Sequence, residues 1–181
     1  QIKLQVNRCA DITQAILKFG RKKDTRQEPL NPCQVIPEIV RMIEQKAKVS
    51  GIEIVKTISD TAAEFLGDAS QFQRVMLNLL NNAMDAISER HGSAGGVLTI
   101  SCFRKNERWI AIILRDNGTG IRPENMDKIF SPFFTTKPVG KGTGLGLSVC
   151  YGIIENFGGT MEVKSEPNVG TTFMIGLPAV N

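Results

Sequence analysis

Apolar positions return every third or fourth residue along four stretches of the chain, the period of a helix with one buried face. Ile2, Val6, Cys9, Ile16, Leu17 and Phe19 mark an amphipathic helix over residues 1–23, with Lys and Arg in its last turn before Asp24. Ile36, Ile39, Val40, Ile43 and Ala47 mark a second over 37–50, stopped by Gly51 just past its last turn. A third runs from a cap at Asp68 or Ser70 to Arg90, with Phe72, Val75, Met76, Leu79, Ala83 and Ile87 as its stripe. The fourth covers 145–156 through Leu147, Cys150, Ile153 and Ile154, and ends before Gly158 and Gly159.

Between these helices the period shortens to two, or the apolar run is continuous, which is the signal of a strand. Short strands are predicted over 52–57 and 63–66. A β-hairpin follows over 97–103 and 108–115, and two closing strands lie at 160–164 and 171–177. Residues 123–129 read as a short helical turn. Phe130, Phe133 and Phe134 in the connector after it would be a liability if exposed, so they are expected to pin the base of a mobile lid. The polar segment 25–32 contains Pro29 and Pro32, which break helices. It is predicted to be a linker, dividing the chain into a helix at 1–24, the linker at 25–32 and a domain at 33–181. The first helix has two ways to bury its stripe, pairing in a helical bundle or docking back on its own domain.

Three features depart from what packing alone requires. On the third helix Asn78, Asn82 and Asp85 fall at i, i+4 and i+7, within an arc of about 60° at about 100° per residue. Asn is a poor helix former, so Asn78, Asn81 and Asn82 cost helix stability. The carboxamide oxygen of Asn82 suits a hard cation such as Mg²⁺, which takes oxygen ligands and is usually shared with phosphates, while a solvated helix face is the plain alternative. Asp116 follows the apolar run 109–114, so a carboxylate sits where a strand runs out into a loop, and Gly118 and Gly120 allow the backbone to approach a flat base or a phosphate. Gly140, Gly142, Gly144 and Gly146 stand ahead of the fourth helix, whose free N–H groups suit phosphate. Together these read as a nucleotide pocket. It is not a Walker loop, because no Lys-Ser/Thr pair follows at the required spacing, nor a dinucleotide fingerprint, because no strand directly precedes Gly142.

With 181 residues, 41% of them apolar, the chain can bury one proper core with an appendage. The net charge of +4 is mild and scattered apart from residues 21–23, and with one Tyr and one Trp it does not favour nucleic acid. Cys9, Cys33, Cys102 and Cys150 form no CxxC pair and have one histidine, His91, to help them, so no zinc site follows and they read as reduced apolar fillers. No run approaches a membrane span and no leader is present. The expectation is a cytoplasmic piece of a longer protein, with no direct membrane contact of its own and a parent free to be membrane-anchored.

In this order the stretches resemble the ATP-binding catalytic domain of sensor histidine kinases, within the gyrase, heat-shock chaperone, histidine kinase and mismatch-repair ATPase superfamily. Residues 73–86 look like its N box, 116–120 its G1 box, 129–137 its F box and 142–147 its G2 box, and the resemblance covers about residues 30–178. It implies an α/β two-layer sandwich of the Bergerat type, a mixed sheet with helices on one face and a flexible lid. It implies ATP and Mg²⁺ as cofactors. By resemblance Asp116 accepts a hydrogen bond from the adenine amino group, Gly118, Gly120 and Ile121 line the base, and Thr171 reaches it through water. Asn82 is the magnesium ligand, with Asp85 beside it. Phe133, Thr136, Lys137, Lys141, Gly142, Thr143, Gly144, Leu145, Gly146 and Leu147 belong to the lid and the phosphate loop.

Asn78 occupies the position where hydrolysing members of the superfamily carry a glutamate base. A carboxamide cannot take a proton from water, so the pocket is expected to hydrolyse ATP poorly and to keep the γ-phosphate for another acceptor. The first helix looks like the second helix of the family's dimerisation hairpin. The acceptor histidine of that hairpin has no counterpart here, since His91 lies in what reads as a surface loop. The resemblance thus implies autophosphorylation of a histidine outside this chain, transfer to a response-regulator receiver domain, and a homodimer formed through the hairpin. The superfamily leaves three other readings open: an ATP-hydrolysing conformational clamp, a serine kinase acting on a partner, and a nucleotide-binding scaffold without chemistry.

Overall fold

The computed structural model describes residues 27–59, 63–138 and 142–180. The helix expected over 1–23 lies outside them. The chain enters through strand β1 (Glu28–Leu30), which pairs antiparallel with β3 (Phe65–Gly67) in a small two-stranded sheet. Helix α1 (Pro32–Val49) follows at once. Its start is five residues ahead of the expected one, because Asn31 caps it by accepting from the Cys33 N–H at 2.9 Å and Pro32 takes a first-turn position, where its missing N–H costs nothing. The expected linker over 25–32 is therefore ordered in its second half. Pro29 is a strand residue and Pro32 a helix starter rather than breakers of structure. Pro37, taken as the helix start, sits inside α1.

Five further strands build the main sheet: β2 (Ile52–Ile58), β4 (Gly96–Arg104), β5 (Trp109–Asp116), β6 (Thr160–Glu166) and β7 (Gly170–Pro178), in the order β2-β4-β5-β7-β6. The β4–β5 pair is the expected hairpin, the two closing strands β6 and β7 also pair antiparallel, and β5 pairs antiparallel with β7. Only β2 runs parallel to its neighbour β4. That connection needs a crossover, supplied by β3 and helix α2 (Ala69–His91). The sheet is mixed, as expected.

The alternation of burial along most of β4, β5 and β7 shows that one face of the sheet holds the core. Leu98, Ile100, Ile112 and Ile175 from the strands meet Phe72, Met76, Leu79 and Leu80 from α2 and Ile154 from α4 (Gly146–Asn156). Each of these is at most 2% exposed. Burying a Leu, Ile, Phe or Met contributes about 1.5–3 kcal/mol, so this layer fixes α2 firmly against the sheet. A one-turn helix, α3 (Pro123–Met126), leads into the lid, and Ile129 at the lid's start is buried.

Candidate active site

Alternation along β5 carries its last residue, Asp116, onto the same inner face as Ile112 and Leu114, and there it stands 6% exposed among apolar neighbours. One oxygen, Oδ1, accepts from the backbone N–H of Gly118 at 2.8 Å and of Thr171 at 3.2 Å. Among the described residues nothing bonds to Oδ2, yet no fully enclosed side-chain polar atom is left without a partner. Oδ2 therefore opens onto a space from which a donor can reach it. Burial pushes the Asp116 carboxyl above its ordinary value, and the bonds from Gly118 and Thr171 oppose that shift. A carboxylate in this setting, with one oxygen tied down and the other open, can accept a further hydrogen bond at Oδ2.

The turn after Asp116 is glycine at two positions for steric reasons. A Cβ on Gly118 would fall 2.6 Å from the Ala86 carbonyl carbon of α2, and one on Gly120, at φ +68, would fall 2.1 Å from the Glu166 oxygen. The Thr119 N–H donates to the Ala86 carbonyl at 3.2 Å, so the turn after Asp116 lies directly on the helix. Ile121 donates its N–H to Ser165 Oγ at 2.8 Å, and that hydroxyl also touches Thr171 Oγ1 at 3.0 Å. Thr171 is 5% exposed and adjoins Asp116 through its own N–H. Sequence reasoning missed Ser165, since a lone serine in a strand carries no signal.

Along α2 the expected polar face is present. Asn82 Nδ2 approaches Asn78 Oδ1 at 3.4 Å, and Asn78 Nδ2 donates to Cys150 Sγ of α4 at 3.1 Å. Lys137, from the lid, brings its ammonium to Asn82 Oδ1 at 3.3 Å and to Asp85 Oδ2 at 2.7 Å. The carboxamide oxygen of Asn82 thus already faces a cation. That donor set, one neutral oxygen with a carboxylate three residues on, fits an oxygen-seeking Mg²⁺ shared with phosphate. Across the space α4 begins at Gly146 with Leu145 at the cap and no side-chain capping bond, leaving first-turn N–H groups free for an anion. A Cβ on Gly146 would lie 2.7 Å from the Asn78 carboxamide, so the two helices meet there. Leu145 and Leu147 pack against the core and hold that end in place.

The lid itself divides. Phe130 stacks at 5.1 Å on Tyr151 of α4 and anchors its base as expected. Phe133 does not, being half exposed with a φ of 68. Its backbone, rather than its ring, makes the contact: a Cβ on Gly144 would lie 2.3 Å from the Phe133 carbonyl carbon, so the F-box turn sits directly under Gly144. Gly142 approaches Thr135 and Lys137 in the same way. Thr136 and Thr143 are exposed on this segment. Lys141 lies outside the described residues. His91, expected in a loop, is instead the last residue of α2, with Nε2 at 2.8 Å from the Asn117 carbonyl.

The whole of this site falls within residues 67–181, which match the family model of histidine kinase-, DNA gyrase B-, and HSP90-like ATPases. The sensor kinase CckA of Brucella abortus is 37% identical over 98% of the chain, which spans 20% of that protein's length. The nucleotide-free catalytic domain of histidine kinase ThkA is 30% identical and superposes with a TM-score of 0.72, over 84% of this chain and 97% of that one. A second ThkA structure, in complex with the response regulator TrrA, gives a TM-score of 0.76 at 25% identity over 99% of this chain and 49% of that one. Sequence, fold and the placement of the four boxes agree: the chain belongs to the histidine kinase-, DNA gyrase B-, and HSP90-like ATPase family, and within it stands with the catalytic domains of sensor histidine kinases.

Proposed function

We propose that this chain is the catalytic domain of a two-component sensor kinase, which binds Mg²⁺ and ATP and delivers the γ-phosphoryl group to a histidine outside it. The observation that carries the reading is Asp116, a buried carboxylate with Oδ1 fixed by two backbone N–H groups and Oδ2 left for a ligand donor. The exocyclic amino group of adenine is such a donor. Gly118, Gly120 and Ile121 flank the base, and Thr171 contributes a hydroxyl within reach of a bridging water. Asn82, with Asp85 beside it, would hold the metal, which supplies charge neutralisation between the phosphates. The free N–H groups at Gly146 and Leu147 bind phosphate oxygens, and Lys137 is the lid's mobile positive charge.

Phosphoryl transfer asks a protein mainly for positioning and electrostatics. Asn78 supplies no base. Its carboxamide is engaged with Cys150 and Asn82, and it has no proton-accepting capacity toward water, so hydrolysis stays slow and the phosphoryl group is held for the acceptor. His91 is the chain's single histidine and is tied to the Asn117 carbonyl, so it is not that acceptor. The parent is read as a homodimer through a dimerisation hairpin, passing its phosphoryl group to a receiver domain. Because ThkA has been captured with its response regulator, such a domain is the partner class to test first.

The test is calorimetric titration of the chain with ATP and Mg²⁺, followed by ³²P transfer from ATP to an added dimerisation hairpin carrying an acceptor histidine. Binding with acid-labile label on the hairpin is expected. Binding with rapid phosphate release to water would instead favour a conformational ATPase, and no binding at all would overturn the reading.

A further inference from the structure

The geometry points to Arg90 as the positioning residue that holds the two strand ends reading the base, and so as a determinant of adenine specificity. This rests on the ATP-binding reading above. Arg90 stands in the last turn of α2, about two turns beyond Asn82 on the same helix. Its Nη1 donates to three backbone carbonyls: Asn117 at 2.7 Å, Gly118 at 3.3 Å and Val169 at 3.0 Å. Asn117 and Gly118 follow Asp116 directly, whereas Val169 lies in the β6–β7 turn, two residues before Thr171. One guanidinium nitrogen thus bridges the turn after β5 to the turn before β7.

The neighbours of Arg90 secure the same point. His91 Nε2 bonds the Asn117 carbonyl from the adjacent position on the helix. The Asn117 side chain accepts from the Val97 N–H at 2.9 Å and donates to the Gly95 carbonyl at 3.0 Å, fixing the turn to the start of β4. The Asn168 N–H donates to the Thr119 carbonyl at 2.7 Å, so the two turns also touch through backbone alone. The turn after β5 is already tied to α2 by Thr119 and His91; what Arg90 adds is a link from α2 to the β6–β7 turn as well, through Val169. The clamp fixes the turns that carry Asp116 and Thr171 relative to the helix that carries Asn82. Arg90 bonds only backbone carbonyls; it acts by keeping Oδ2 aimed at the place where the adenine amino group presents its donor.

The assay compares ATP, GTP and inorganic tripolyphosphate, each with Mg²⁺, by calorimetry on the 181-residue chain and on Arg90→Ala and Arg90→Lys. Charge-assisted hydrogen bonds of this kind set the scale, so ATP affinity in Arg90→Ala is expected to fall about tenfold, with discrimination against GTP falling by a similar factor. Tripolyphosphate binding stays at the wild-type level, because the phosphate residues are untouched. Arg90→Lys, whose ammonium still donates to carbonyls, restores most of the discrimination. If Arg90→Ala fails to fold, Arg90→Gln gives the same readout with one amide donor kept and an intermediate loss expected. Equal losses for ATP and tripolyphosphate, or unchanged discrimination in a folded variant, would overturn the proposal. A wild-type chain that binds tripolyphosphate but not ATP would overturn the adenine reading itself, an outcome visible before any variant is made.

Discussion

Replacing Asp116 by Asn separates the cost of this carboxylate to the fold from its value to the ligand. At neutral pH the ionised side chain is buried at 6% exposure, and desolvation raises its pKa above the ordinary 3.8. A raised acid pKa means that the native state favours the protonated form. The group therefore adds relative stability at low pH, and that stability is lost as pH rises through the folded pKa. At pH 7 the charge is a burden, so a neutral amide keeping Oδ1 toward the Gly118 and Thr171 N–H groups should leave the melting temperature unchanged or higher. The ligand meets the opposite situation. With Oδ1 so held, the amide turns its NH₂ toward the adenine amino group, donor against donor. Losing one hydrogen bond to a charged group costs about 1.5–3 kcal/mol, or roughly 12- to 140-fold in Kd. Calorimetry for ATP and scanning calorimetry for the apo chain measure both quantities. An Asn variant of undiminished stability that binds ATP within about threefold of wild type would refute the assignment, since a tenfold change is worth only 1.4 kcal/mol.

The pH dependence of binding follows from the same group. ATP affinity should be flat near neutrality and fall on acidification with a midpoint above 3.8, because the ionised carboxylate is the competent acceptor and its pKa is raised; a midpoint at or below 3.8 in the free protein contradicts this. Gly144→Ala places a Cβ 2.3 Å from the Phe133 carbonyl carbon at a φ of +68, so the lid should be displaced and nucleotide binding weakened. The unfolding midpoint should scarcely move, since neither Phe133 nor Gly144 is buried, and circular dichroism melts check this. Lys137→Met removes the ion pair to Asp85, whose side chains are 35% and 50% exposed. Such pairs contribute about 0.2–1 kcal/mol, so amide exchange in the lid of the nucleotide-free protein should rise by no more than about fivefold. Burial pushes the Cys150 thiol up to about 11 and that of Cys102 higher still, so of the three cysteines among the described residues a thiol reagent at pH 8 should modify the half-buried Cys33 first and reach Cys102 and Cys150 only on unfolding. Peptide mapping after brief labelling reads the order.

Legibility in the sequence followed the physics of each element. The strands and α2 were readable because burial on one face imposes a period that few other constraints disturb; β5 shows it from end to end, and β4 and β7 over most of their length. Asp116 was readable because its place at the end of an apolar strand has no packing explanation. The start of α1 was not, because proline is a breaker inside a helix and a starter in its first turn, and only the Asn31 cap distinguishes the two. Phe133 misled for a related reason: an aromatic side chain suggests an anchor, whereas here the backbone makes the contact. Arg90 and Ser165 were invisible, since each bonds partners far away in the chain and neither departs from local pattern.

The β5–β7 pairing has a consequence for how this site can vary. Arg115 and Thr172 are sheet partners, so everything between them, lid included, is an excursion whose two ends are held by strand pairing. Ile129 and Phe130 fasten the lid's near end, and Leu145 and Leu147 its far end. The closure entropy of a flexible loop grows only logarithmically, with each doubling of length costing about 0.6 kcal/mol. Residues inserted between those fastenings therefore scarcely alter the stability of the sheet, and on the proposed ATP-binding reading they would change the time for which a bound nucleotide stays covered. Residence time and fold are separate design variables in this chain, set by different segments.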